Sequence, residues 1–356
     1  MSRFKPECRP TLIGSMPVEN HLEAHRLVMD HTPEIPPWVQ LPAFRQEGMV
    51  PQFLPGLPGL THSGERTYVD TDSPDFETEL LAFYEAYLSC TEAPESLDES
   101  NFTLTEETAA GFGTLCSGLE TAADDLYAVK GQVTGPITFA TGVKDQHDQA
   151  IFYHDQLRDA AVKLLALKAR WQARVLAKFG KPVIIFLDEP ALAGFGSSEF
   201  ISITREEVVA CLEEIAAAVH AEGGLAGVHV CANTDWSMLL ESSLDIINFD
   251  AYAYFDRFIL YPGQLKNFLE EGGILAWGIV PTLHAEDIEK ESAASLQAKW
   301  EGQLEQVVNL GVTAEKVRAQ TLITPSCGVG SQSREKALKV LEMTRDLSRL
   351  IRHNNS

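Results

Sequence analysis

Pro182-Val183-Ile184-Ile185-Phe186-Leu187-Asp188-Glu189-Pro190 decides how this chain is read. Five consecutive apolar residues, three of them β-branched and all bounded by prolines, predict a strand with both faces buried. Such strands belong to parallel sheets covered by helices. The run ends in two carboxylates, so the strand carries chemistry at its C-terminal end. Helical spacing precedes it over 149–179 and follows it over 205–222, where Thr204 is a natural N-cap.

Working outward, the same alternation recurs. Gly227-Val228-His229-Val230-Cys231-Ala232-Asn233-Thr234 ends the next strand, and Asn233 and Thr234 offer a cap for the helix beyond. Asp245-Ile246-Ile247-Asn248-Phe249-Asp250 is a further strand, followed by a helix over 264–271 closed by Gly272-Gly273. A strand over 274–280, a helix over 292–310, a strand over 321–325 and a basic amphipathic helix over 333–352 complete this half. Toward the N-terminus, strands are expected near 11–15, 38–42 and 126–133, with helices over 19–28, 76–89 and 105–119. The stretch 43–73 is rich in Pro and Gly, has no periodicity, and reads as a long loop or lid.

Eight strands alternating with helices predict right-handed βα crossovers. We therefore expect a single (β/α)8 TIM barrel over 1–356 with a long N-terminal insertion loop. A doubly wound open sheet is the alternative. No G-x-G-x-x-G follows an early strand, which argues against a dinucleotide site.

Barrel active sites sit at the C-terminal ends of strands. Ser15, Asp188, Glu189, His229, Cys231, Asp250 and Cys327 all fall at or just past such ends. His229 and Cys231 are two apart, so both side chains point the same way from a strand and supply half of a tetrahedral zinc site. The best distant partner is Cys327, in Ser326-Cys327-Gly328 after the last strand. The plainer reading of an H-x-C pair is a buried His and Cys that pack. Asp188 is read as a functional carboxylate, or else as a structural one bonding backbone amides; Glu189 is open between the same roles. Asp250 is a zinc ligand, a partner orienting His229, or a turn cap. His284, after Val280-Pro281-Thr282, is either an acid/base group or a solvated loop histidine. Glu65 and His62 lie in the long loop and carry less.

Composition narrows the classes. Over 356 residues the formal charge is −23, which repels phosphate backbones and anionic lipid, so neither nucleic acid nor membrane is an expected partner. Six cysteines lack a framework spacing, and the first residues are not followed by an apolar run. A reducing, cytoplasmic location without a leader is the expectation.

Ile13-Gly14-Ser15-Met16-Pro17, Gln132-Val133-Thr134-Gly135-Pro136, Asp188-Glu189-Pro190-Ala191-Leu192, His229-Val230-Cys231 and Ser326-Cys327-Gly328 occur in an order that resembles the catalytic half of cobalamin-independent methionine synthase. The chain is also similar to methylcobamide:thiol methyltransferases and to uroporphyrinogen decarboxylase, which lacks the H-x-C pair. The resemblance implies a zinc-dependent methyltransferase in which His229, Cys231 and Cys327 hold Zn2+. The zinc-bound homocysteine thiolate is then the nucleophile that becomes methionine. It puts Ser15 and Asp188 on the amino-acid part of homocysteine, Glu65 more loosely there, and Asp250 where the family has a glutamate ligand. Full-length members carry a second N-terminal barrel that helps hold folate. The first strand here begins near Thr11, so a methylated corrinoid protein is the expected donor. Alternatives are another thiol acceptor such as coenzyme M, a metal-free decarboxylase-like protein, and a non-catalytic corrinoid-binding partner.

Overall fold

The computed structural model describes residues 4–121, 125–196, 200 and 202–353. In chain order the elements are β1 (Arg9–Pro10), α1 (His21–His31), β2 (Leu60–Ser63), β3 (Arg66–Val69), α2 (Phe76–Glu92), α3 (Ala110–Leu119), β4 (Val129–Thr134), α4 (Pro136–Gly142) and α5 (Asp155–Ala177). They continue with β5 (Val183–Asp188), α6 (Arg205–His220), β6 (Leu225–Val230), α7 (Trp236–Leu240), β7 (Ile246–Phe249), α8 (Phe255–Phe258), α9 (Pro262–Glu270), β8 (Ile274–Val280), α10 (Ala285–Lys290), α11 (Ala293–Val308), α12 (Ala314–Ala319), β9 (Thr321–Pro325) and α13 (Arg334–His353).

Seven strands form one parallel sheet in the order β1-β9-β8-β7-β6-β5-β4. It curls, and the segment around 36–40 reaches both of its edges. On one side Lys130 N–H donates to Pro36 O (3.1 Å) and Trp38 N–H to Lys130 O (3.3 Å); on the other, Gln40 N–H donates to Gly14 O (3.1 Å) and Met16 N–H to Gln40 O (3.0 Å). The strand expected over 38–42 is therefore two isolated parallel bridges, at Pro37 and Gln40. Pro36 and Pro37 have no N–H to donate, which breaks a regular ladder. The strand expected over 11–15 is likewise regular only at Arg9–Pro10 and then continues by single contacts with Ile323 and Gln40.

The pleat sorts the side chains. Every second residue of the central strands points to the concave side, and near the N-terminal ends these are Ala128, Ile184, Phe186, Ile246, Ile274, Ala276 and Leu322, which pack with Ile35 into a small inner core. Further along the same faces they become polar: Lys130, Gln132, Asp188, His229, Asn248 and Thr324, all buried. The opposite faces, among them Ile185, Leu187, Val228, Ile247, Trp277 and Ile323, join the main core under the helices. Burial on both sides is why these strands read as unbroken apolar runs.

Local signals were mostly kept. Thr204 and Glu207 form a reciprocal capping box at α6. The cap of α7 is Asp235, not Asn233 or Thr234: Asn233 accepts from the Trp236 indole and Thr234 donates to Leu192 O. The stretch 43–73 is not featureless, because β2 and β3 pair as an antiparallel hairpin turning at Gly64 (φ 60°) and Glu65. None of the described helices is long and apolar enough to cross a membrane.

Lys168 on α5 is buried, its Nζ donating to Thr103 O at 3.1 Å, and burial pulls it down to about 7. Between that value and its ordinary one, the unfolded chain binds the extra proton. Stability attributable to Lys168 therefore rises with pH across this window, at roughly 1.4 kcal/mol per unit. Lys168→Met is expected to raise the melting temperature at pH 6–7 and to flatten the rise toward pH 10, read by thermal melts of both proteins.

Candidate functional site

The polar ends of the inner faces meet in a cavity of about 340 Å³ at the C-terminal side of the sheet. β6 delivers His229, the turn after it Cys231, and the turn after β9 Cys327; one ligand atom from each lies within 4.8 Å of the others. Residues 98 positions apart, 229 and 327, are neighbours because β6 and β9 both arc around the inner core.

The histidine is held in a defined state. Its Nδ1 faces Asn248 Oδ1, while Nε2 is buried without a hydrogen-bond partner. Cys231 is driven toward the thiolate, first by a hydrogen bond from the Cys327 thiol and then by His229, against the opposing effect of burial; Cys327 as donor is correspondingly held protonated. One imidazole nitrogen and two thiol sulfurs are the borderline-soft donor set that suits Zn2+. A ring nitrogen such as His229 Nε2, buried without a conventional hydrogen-bond partner, is costly unless an ion shares its lone pair. The residues present therefore fit zinc.

Asp188, at the end of β5, lines the same cavity. It is 5% exposed, and its Oδ1 has no partner. Burial pushes its carboxyl up, against the charges of His229 and of Lys130. Lys130 is fully buried beneath, donating to Ile13 O (2.6 Å) and Gln132 Oε1 (3.2 Å), and burial lowers it to about 8. Ser15 lines the cavity and its Oγ accepts from Gly330 N–H (3.2 Å). A Cβ on Gly328 would stand 2.1 Å from that Oγ, so this loop must carry glycine to pack on Ser15.

Of the other expected residues, Asp250 stays within reach of the charges of Cys231 and His229, and the rest lie elsewhere. Glu189 faces away and caps α4: its oxygens accept from Ile137 N–H (2.8 Å), Thr138 N–H (2.9 Å) and Thr138 Oγ–H (2.6 Å). A Cβ at Gly135 would fall 2.2 Å from that carboxylate, which explains the glycine of the T-G-P segment. Asp250 stands outside the three-residue group, and its Oδ1 accepts from Ala253 N–H at 2.8 Å. Glu65 is exposed in the hairpin turn, where its carbonyl accepts from Arg45. His284 is exposed at the start of α10. Neither Glu65 nor His284 lines the cavity.

Three contributors carry no mark in the pattern of strand ends. Glu47 lines the cavity from within the long loop; it is 3% exposed, pairs with His21 Nε2 (2.7 Å) and accepts Leu41 N–H (2.8 Å). Met49 lies beside it. Nothing in an aperiodic stretch marks one glutamate as buried. Asn248, the third, did leave a different signal, being an amide inside an otherwise apolar strand.

No profile of a known protein family matches the chain, and no curated protein matches it. Among solved structures it is similar to a B12-independent methionine synthase from Shewanella sp. W3-18-1 in complex with selenomethionine, at 15% identity, 97% of this chain, 98% of that chain and a TM-score of 0.55. A methyltransferase from Methanosarcina mazei matches at 16% identity over 66% of this chain and 63% of that one, with a TM-score of 0.43. A catalytic module of the pneumococcal exo-β-D-N-acetylglucosaminidase matches at 9% identity over 96% and 85%, with a TM-score of 0.45. The last two likenesses are too loose to argue from. The first shows a shared fold: over 97% of its length this chain has an α/β architecture similar to that of the methionine synthase.

Proposed function

We propose that the protein is a zinc-dependent thiol methyltransferase that converts homocysteine to methionine on one closed eight-stranded barrel, the 36–40 segment serving as the remaining stave. The observation that carries this is the convergence of one ligand atom each from His229, Cys231 and Cys327 within 4.8 Å of one another, in a cavity that Asp188, with its unpartnered Oδ1, also lines. His229, Cys231 and Cys327 would hold the metal. When bound, zinc supplies the positive charge that lets a substrate thiol ionise near neutral pH.

The chain's own residues do the rest. Asp188 Oδ1 accepts from the substrate ammonium. Ser15 accepts from Gly330 N–H, which leaves its O–H to donate to the substrate carboxylate. These contacts aim the sulfur at the methyl carbon. An S–C bond forms as the methyl–donor bond breaks, the donor leaves with the electron pair, and the thiol proton goes to solvent. A methylcorrinoid is the donor carried with this reading, since its cobalt accepts that electron pair. The carboxylate of Asp188 favours a thiol that carries an ammonium over a sulfonate thiol such as coenzyme M.

The test is methyl transfer to homocysteine, cysteine and coenzyme M from methylcobalamin and from methyltetrahydrofolate, with zinc measured per chain. Methionine formed with about one zinc per chain is expected. Absence of transfer from either donor would sink the reading. Asp250 is taken as a turn cap near the metal. Asp250→Asn, which keeps an oxygen for Ala253 N–H, is accordingly expected to retain zinc within about threefold of wild-type affinity in a chelator competition. Loss of zinc there would restore Asp250 as a ligand.

A further inference from the structure

Asn248 is buried at 0% exposure in the middle of β7, one strand over from His229. Its amide is committed on both sides. Nδ2 donates to the backbone Ala276 O (2.8 Å) on β8 and to Thr324 Oγ1 (2.8 Å) on β9. The Ala276 carbonyl only accepts, so it dictates which end of the amide is nitrogen. Turning the amide over would set oxygen against oxygen. Oδ1 is thereby fixed toward His229 Nδ1. An amide oxygen also only accepts, so Nδ1 must carry a proton. In a neutral imidazole the lone pair is then on Nε2, which is buried without a conventional hydrogen-bond partner and is the ring nitrogen left for the group with Cys231 and Cys327.

We infer that Asn248 is the positioning residue of the site: it selects the Nδ1–H tautomer of His229, fixes the ring, and so presents Nε2 to the metal. Through Thr324 it also ties His229 on β6 to β9, three residues before Cys327, and thus holds the two halves of the ligand set in register. The inference rests on the zinc reading for its consequence, but not for the tautomer itself.

The experiment has two readouts. Long-range 1H–15N correlation of the metal-free protein, with His229 assigned by His229→Gln, reports which ring nitrogen is protonated. Wild type is expected as the Nδ1–H form, and Asn248→Leu as a mixture or the Nε2–H form. Chelator competition then measures zinc, and Co2+ substitution gives the ligand-field spectrum. Asn248→Leu is expected to weaken zinc by about 10- to 100-fold and to shift the Co2+ bands. Asn248→Asp, which keeps an oxygen for Nδ1–H but sets its second oxygen against Ala276 O, is expected to restore the Nδ1–H form and to recover part of that loss. Circular dichroism identifies any variant that has merely unfolded, and Asn248→Asp then carries the comparison. An Nε2–H wild type, or Asn248→Leu with unchanged tautomer and unchanged zinc affinity, would overturn the assignment. Absence of zinc in a wild type that still shows the Nδ1–H form would refute the metal reading while leaving the role of Asn248 in place.

Discussion

Cys327→Ser is expected to abolish the zinc binding proposed for His229, Cys231 and Cys327. A serine hydroxyl does not ionise at neutral pH and is a poor substitute for a thiolate. Structural zinc sites are worth about 10–16 kcal/mol over their whole ligand set, so loss of one of three protein ligands should weaken binding by at least a hundredfold. Wild type should carry about one zinc per chain and the variant less than a tenth of that after dialysis against a weak chelator, with methyl transfer at background. Cys116→Ser, on α3 and outside the ligand group, is the control and should keep its metal. The thermal melt separates metal loss from unfolding. Stoichiometric zinc in Cys327→Ser, or none in a reconstituted wild type, would show that β6 and β9 do not share an ion.

The second large effect is expected from Asp188→Asn. In the proposed function this buried carboxylate pairs with a substrate ammonium, and removing its charge leaves that cation desolvated and unpaired. Breaking such pairs costs about 3–5 kcal/mol, or roughly two to three and a half decades in kcat/KM for homocysteine. A thiol of similar length without the amino group should lose less than threefold, because it never made the contact. Zinc content should be unchanged. Steady-state kinetics on the two thiols decide the matter: equal losses on both would move Asp188 from the ammonium to the sulfur or the donor.

Both substitutions concern residues legible in the amino-acid sequence itself, and the reason is physical. A strand end in a parallel sheet is the one place where an unbroken apolar run stops and the chain turns to solvent. Polar residues there stand out against Val183–Leu187 or Ile246–Phe249. The H-x-C spacing placed His229 and Cys231 on one face because strand side chains alternate with period two. What strand-end position could not convey was direction. Asp188 and Glu189 are adjacent and chemically alike, yet one looks into the cavity and the other caps α4. Asp250 shares the strand-end position of Asp188, but one of its two oxygens, Oδ1, accepts from Ala253 N–H.

The amino-acid sequence by itself determined the βα alternation and the parallel sheet, and it singled out His229, Cys231 and Cys327, with Asp250, as candidate metal ligands. These follow from local periodicity and from side-chain chemistry that any fold must accommodate. Tertiary structure alone decided that Cys327 reaches β6, that Glu47 of an aperiodic loop turns inward, and that the 36–40 segment links the two edges of the sheet by isolated bridges. It also decided that Asn248 orients His229. Each of these joins positions far apart in the chain. Such contacts are set by how the strands curl about the small core of Ile184, Phe186, Ile246 and Leu322, and no local pattern encodes that curvature.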